Sequence, residues 1–124
     1  MNTKGKVLVV DDNESVRAML KSGLAAMGWE VVLSNSGLGV SDQVQQENID
    51  VVLLDIVMEA KEGVETLLEI KEISSATPVV MISSHAEYLE LSRSMGANAT
   101  LMKPLNLSEV DEVMLLLLSE QEAS

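Results

Sequence analysis

A parallel sheet of five strands, covered by helices on both faces, is the expected architecture of this 124-residue chain. Short apolar runs rich in β-branched residues recur without polar alternation, the pattern of strands buried on both sides. Segments of helical period lie between those runs. A strict β-α order repeated five times implies parallel pairing through right-handed crossovers. The length suits a single domain, since domains commonly run to about 100–150 residues.

The first strand is expected at Val7–Val10, with Asp11, Asp12 and Asn13 following it. Val16, Met19, Leu20, Leu24 and Met27 then share one helical face, and Gly28 stops that helix. Val31–Leu33 reads as the second strand, with Trp29 packing at its start. The next helix is the weakest: between Gly37 and Glu47 the chain is rich in Gly, Ser, Asp and Gln, leaving Leu38 and Val44 as anchors. Val51–Leu54 is the third strand, ending at Asp55; Gly63 opens a helix carrying Val64, Leu67 and Leu68. Val79–Ile82 is the fourth strand, followed by Ser83 and Ser84. Tyr88, Leu91 and Met95 set the core face of the fourth helix, which Gly96 ends. A weaker run at Leu101–Met102 precedes Lys103-Pro104. In the last helix Val110, Val113, Met114 and Leu117 face the core, Leu115 and Leu118 lie toward its flank, and Asn106 and Glu109 are spaced as a capping box.

Composition narrows the function. Twenty acidic and eight basic residues leave a net charge of −12, which argues against a nucleic-acid backbone or an anionic membrane as partner. With no cysteine, disulfides, zinc–thiolate sites and Cys nucleophiles are excluded. No signal peptide is expected, because only Val7–Val10 follows the early lysines. The longest apolar run, Val113–Leu118, is six residues, far short of a bilayer span. A cytoplasmic location is the expectation.

In an open α/β sheet, ligands bind outside the carboxyl ends of the strands. Those ends here carry Asp11 and Asp12, Asp55, Ser83, and Lys103. If the first and third strands are neighbours, three carboxylates converge. Two unit charges 4 Å apart repel by roughly 4 kcal/mol at an effective dielectric of 20, and Lys103 offsets one of them. A divalent cation with hard oxygen ligands, Mg2+ or Mn2+, resolves the excess. Mg2+ in turn brings phosphoryl chemistry, for which Ser83, Lys103 and loop amides are donors and an aspartate can be the nucleophile.

Taken together, Asp11-Asp12 after the first strand, Asp55 after the third, Gly63 opening the next helix, Ser83 after the fourth and Lys103-Pro104 after the fifth resemble the receiver domains of two-component response regulators. The resemblance covers essentially the whole chain. It implies a flavodoxin-like, doubly wound sheet of strand order 2-1-3-4-5, with a receiver domain over residues 1–120, a polar tail at 121–124 and no output domain. It also implies a phosphorelay in which Asp55 accepts a phosphoryl group from the phosphohistidine of a sensor kinase or phosphotransfer protein. Asp11, Asp12, Asp55 and the Val57 carbonyl would gather Mg2+ (or Mn2+). Lys103 would pair with Asp55 and then with phosphoryl oxygens, and the Ser83 hydroxyl would swing to report occupancy. The Lys103-Pro104 bond is commonly cis in the family. Val57 and His85 occupy positions that tune phosphoryl lifetime, although an exposed loop histidine is an equally good reading of His85. The domain would be a phosphoacceptor assisting its own transfer rather than an enzyme. It would switch binding to a downstream protein, with self-association through the last helices left open.

Four features depart from the family pattern. Thr100 stands where an aromatic is usual, leaving Tyr88 as a substitute reporter unless it packs in the core, the expected outcome at its helical spacing. Glu59 replaces a usual proline, which should loosen the loop. The stretch from Ser83 to Lys103 is about two residues shorter than usual, and the second helix is weak. These features motivate an alternative, an interaction module of the same fold regulated without phosphorylation. An aspartate-nucleophile phosphatase would need a second carboxylate just beyond Asp55, which Ile56-Val57 does not supply. A flavin carrier would need a polar or Gly-rich phosphate cradle where Asp11-Asp12-Asn13-Glu14 stands.

Overall fold

In the computed structural model, which describes residues 3–58 and 62–123, the expected alternation is present throughout. The strands are β1 (Lys6–Val10), β2 (Glu30–Ser34), β3 (Val51–Asp55), β4 (Val79–Ser83) and β5 (Ala99–Met102). The helices are α1 (Glu14–Ala26), α2 (Val40–Gln46), α3 (Gly63–Ile73), α4 (Ala86–Ser94) and α5 (Leu107–Ala123). All pairings are parallel, in the order β2-β1-β3-β4-β5, the flavodoxin-like arrangement. Strand order reverses around β1, so β1 and β3 lie side by side with Val10 opposite Leu54.

Successive strand residues point to opposite faces, and both faces are buried here. Val7, Val9, Val51, Leu53, Val80, Ile82 and Leu101 pack with Leu20, Leu24, Trp29, Val110 and Met114, beneath α1 and α5. Leu8, Val10, Val52, Leu54, Val79 and Met81 pack with Val40, Val44, Leu67, Ile70 and Leu89, beneath α2, α3 and α4. Two-sided burial is why the strands show no polar alternation. Trp29 lies in the core immediately before β2, as expected. Asn13 caps α1 by accepting from the Val16 amide at 3.0 Å, and the Asn106 side chain accepts from the Glu109 amide at 3.1 Å at the start of α5. The Lys103-Pro104 bond is cis. Among the described residues no helix is long and apolar enough to cross a membrane.

Several expected faces differ. In α2 the anchors are Val40 and Val44, while Leu38 is 66% exposed. Gly39 takes a left-handed φ of 74°, a conformation glycine adopts at little cost, so the chain turns between Leu38 and the helix and swings Leu38 outward. In α4 the buried residues are Leu89 and Ser92, not Tyr88 and Leu91. Ser92 tolerates burial because its hydroxyl donates to the Leu89 carbonyl at 2.8 Å. Met95, just past the helix, does pack against the core. Met19 and Leu68 are exposed rather than buried. In α5 Leu115, placed toward the flank, is exposed, and so is Leu116. The helix runs on to Ala123, so residues 121–123 of the expected tail are helical. The expectation about Glu59 falls outside the described residues.

Candidate functional site

Adjacency of β1 and β3 carries Asp11, one residue past β1, beside Asp55, the last residue of β3. Asp12 follows Asp11, and one oxygen from each of the three carboxylates lies within 4.8 Å of the others. Asp11 and Asp55 are buried and Asp12 is exposed. The cluster therefore sits at the carboxyl edge of the sheet, at the reversal of strand order, open to solvent on the Asp12 side.

Asp11 is fully committed. Its Oδ1 accepts from the Asn13 amide at 2.9 Å, its Oδ2 from Lys103 Nζ at 3.0 Å, and its carbonyl from Arg17 Nη1 at 2.8 Å. The Lys103 ammonium also reaches Asp55 Oδ1 at 3.6 Å, so it bridges two carboxylates and lies nearer Asp11 than Asp55. Arg17 was not among the expected site residues. The signal available was its position one turn into the helix that follows two aspartates.

Asp55 shows the strain of this arrangement. Burial raises its pKa from 3.8 to about 6, with the neighbouring Asp11 charge as the next cause and Asp12 adding to it. Lys103 and a hydrogen bond from the Val57 backbone oppose the rise without cancelling it. Three gathered carboxylates, all hard oxygen donors, fit a small divalent cation. Among the described residues this is the one acidic group with that geometry.

The remaining expected residues divide. Ser83 ends β4 one residue beyond Ile82, which pairs with Asp55, so the hydroxyl lies at the same sheet edge. Ser83 is buried, and its Oγ accepts from the His85 amide at 3.0 Å. Its carbonyl accepts from the Lys103 amide at 2.9 Å, which ties the ends of β4 and β5 together. Gly63 lies so close that a Cβ there would collide with the Asp55 carbonyl oxygen and the Ile56 Cα, and its amide donates to the Ile56 carbonyl at 2.7 Å. No side chain larger than hydrogen lets α3 begin this near β3. The Val57 side chain is exposed. Thr100 is not drawn to the pocket: its Oγ1 accepts from Arg93 Nε at 3.2 Å and Nη2 at 2.7 Å. His85 sits at the start of α4 with Nδ1 3.3 Å from Ser84 Oγ and its ring centroid 5.1 Å from that of Tyr88.

Comparison with known proteins agrees with this geometry. The family model described as the response regulator receiver domain matches residues 7–114. The transcriptional regulatory protein ZraR of Klebsiella oxytoca is 36% identical over 107 residues, which is 84% of this chain and 24% of that protein. The transcriptional regulatory protein CpxR of Escherichia coli is 33% identical over 103 residues, 82% of this chain and 44% of that one. This chain thus spans between a quarter and a half of the length of these curated relatives. A receiver domain protein (CheY-like) from Methanospirillum hungatei superposes with a TM-score of 0.89 at 27% identity, covering 96% of this chain and 97% of that one.

Proposed function

The chain belongs to the response regulator receiver domain family of two-component signalling, and on that premise we propose that Asp55 accepts the phosphoryl group with the help of Lys103 and Ser83. The observation that carries the assignment is the meeting of Asp11, Asp12 and Asp55, with Lys103 bridging Asp11 and Asp55. Asp55 is the member positioned as nucleophile: it is buried at the strand end, and with a pKa of about 6 it is largely ionised at neutral pH. A carboxylate oxygen of Asp55 attacks the phosphorus of a phosphohistidine; the P–N bond breaks and the imidazole leaves with the electron pair.

Asp11, Asp12, Asp55 and the Val57 carbonyl are the groups that would hold Mg2+ or Mn2+. When bound, such an ion neutralises the cluster and polarises phosphoryl oxygens. Lys103 moves its partial pairing from Asp55 to a phosphoryl oxygen, and the Ser83 hydroxyl donates to another. Asn13 and Arg17 hold Asp11 in place. Val57, whose backbone hydrogen-bonds Asp55, and His85, whose amide donates to Ser83 Oγ, are assigned to tuning phosphoryl lifetime, while Thr100, held by Arg93, is assigned to the output side.

The partners follow from this chemistry: a sensor kinase or phosphotransfer protein upstream and a protein target downstream, in the cytoplasm. The acidic balance of this segment argues that its own contacts are with protein rather than DNA. Incubation with a small phosphodonor and Mg2+, read by intact mass, tests the assignment. Wild type should gain one phosphoryl mass and Asp55→Asn none. Gain by both would displace Asp55 as acceptor, and gain by neither would favour a module regulated without phosphate.

A further inference from the structure

We propose that the groove between α3 and α4 is a docking surface for a basic amphipathic segment of a partner protein, and that Tyr88 is the side chain through which Ser83 controls it. The control rests on the phosphoacceptor reading above; the docking surface does not.

The groove encloses about 260 Å³ and is lined by Ile56, Val57, Glu62, Val64, Tyr88 and Leu91. Val57 is 52% exposed, Tyr88 41% and Leu91 54%. Large apolar side chains gathered at one surface mark a contact site more strongly than scattered ones. The occupant follows from charge. Glu62 is the one charged residue among the described residues of the lining, and Glu87 adjoins Tyr88 in sequence. The whole chain carries −12. A second copy would bring the same negative charge to the contact, whereas an apolar segment flanked by Lys or Arg meets it with the opposite sign.

Both walls of this groove are attached to the phosphoacceptor site. On the α3 side, Ile56 and Val57 directly follow Asp55, and the Val57 backbone hydrogen-bonds the Asp55 carboxylate. Ile56 itself is pinned, its amide donating to the Ile82 carbonyl at 3.1 Å and its carbonyl accepting from Gly63 at 2.7 Å, so this wall is rigid. On the α4 side, Tyr88 rests its ring against His85 at 5.1 Å, and the His85 amide is held by Ser83 Oγ at 3.0 Å. A Ser83 hydroxyl drawn toward a phosphoryl group on Asp55 takes that acceptor from His85. The start of α4 is then free to shift, and the Tyr88 ring moves with it. The groove on the opposite side of α4, lined by Glu90, Arg93, Thr100 and Met102 among others, is spanned by the paired Arg93–Thr100 hydrogen bonds. It has no aromatic ring to move.

Tyr88 is the only tyrosine in the chain, so 3-fluorotyrosine labelling gives a single fluorine resonance without substitution. With Mg2+ and a small phosphodonor, the resonance should shift, or a second one appear, in proportion to the phosphoryl mass gained in the same sample. His85→Ala, with its mass gain read in the same sample, should at least halve the shift per phosphoryl group gained. Mass gain with an unmoved resonance overturns the control by Ser83; no mass gain overturns the reading of Asp55 instead. For docking, the probe is a fluorescent helical peptide of leucine and lysine, with a glycine–lysine peptide of equal charge as its control. Leu91→Lys should weaken leucine–lysine binding at least tenfold, and Met102→Lys, which adds the same charge on the other groove, less than twofold. Equal losses for the two variants, or equal binding of the two peptides, overturns the surface. A concentration-dependent dimer dispersed by Leu91→Lys would overturn it in favour of a second copy.

Discussion

The two ends of the sheet use the same residue types to opposite effect. At the amino end Asp50 and Asp111 have their donors close by. Asp50 Oδ2 accepts from the Lys6 amide at 2.7 Å. Asp111 Oδ1 accepts from Trp29 Nε1 at 2.8 Å and Lys4 Nζ at 3.0 Å, and these partners, Trp29 foremost, hold its carboxyl below the usual range. Lys71, whose ammonium burial pushes its pKa down, donates to the Thr77 carbonyl at 2.9 Å and to Asn98 Oδ1 at 2.6 Å, and that same oxygen accepts from the Val79 amide at 2.9 Å. At the carboxyl end Asp11 and Asp55 share Lys103 with Asp12 close by, and Asp55 is pushed up to about 6. One end is electrostatically settled and contributes stability. At the other, three carboxylates crowd together and raise Asp55, and that crowding is what a cation and a phosphoryl group exploit.

The largest test of this contrast is Asp55→Asn without metal. A carboxyl at about 6 in the folded chain against 3.8 in the unfolded one destabilises the ionised native state by about 3 kcal/mol. Because the folded pKa is the higher, the native state binds the extra proton. Stability is therefore undiminished below pH 4, falls as pH rises from 4 to 6, and carries the full penalty above. Urea melts in a chelator should show Asp55→Asn more stable than wild type by up to that amount at pH 7, the difference vanishing near pH 4. Equal stability at pH 7 would remove the frustration from the carboxyl end.

Mg2+ should stabilise wild type next most strongly. A ligand at a hundred times its dissociation constant adds about 2.7 kcal/mol, and thermal melts of Asp55→Asn under the same Mg2+ should shift less. The settled end should respond in the opposite sense. Asp111→Ala should lose about 1–2 kcal/mol at pH 7, since it strands the buried indole N–H of Trp29. The folded carboxyl of Asp111 titrates lower than the unfolded one, so its contribution is present above the unfolded pKa and is lost as pH falls through the folded value. Its pH slope is therefore the reverse of that of Asp55. Added Mg2+ should leave the Asp111→Ala loss unchanged, and a metal-dependent loss would show that the two ends are coupled.

Strands were legible in sequence because burial on both faces leaves no polar residue to interrupt them, as in Val51–Leu54 and Val79–Ile82. The site residues were legible for a related reason: each follows its own apolar run, so Asp11, Asp55, Ser83 and Lys103 announce one edge of the sheet. Helix faces were less so. Periodicity in α4 points to Tyr88 and Leu91 as the core side, and the packing of α4 against β4 and β5 buries Leu89 instead. Leu38 is more apolar than its surroundings, yet the left-handed Gly39 turns it away and Val40 takes its place.

Composition and order alone thus decided the parallel α/β class, the acid-rich strand ends and the absence of thiol chemistry, because these depend on local pattern and on which residues exist. Which carboxylates share an ammonium, how far Asp55 is raised, and which side of α4 offers its aromatic ring to solvent were decided by the tertiary structure. Charge interaction and burial depend on distances between segments far apart along the chain, and those distances exist only once the sheet has closed its register.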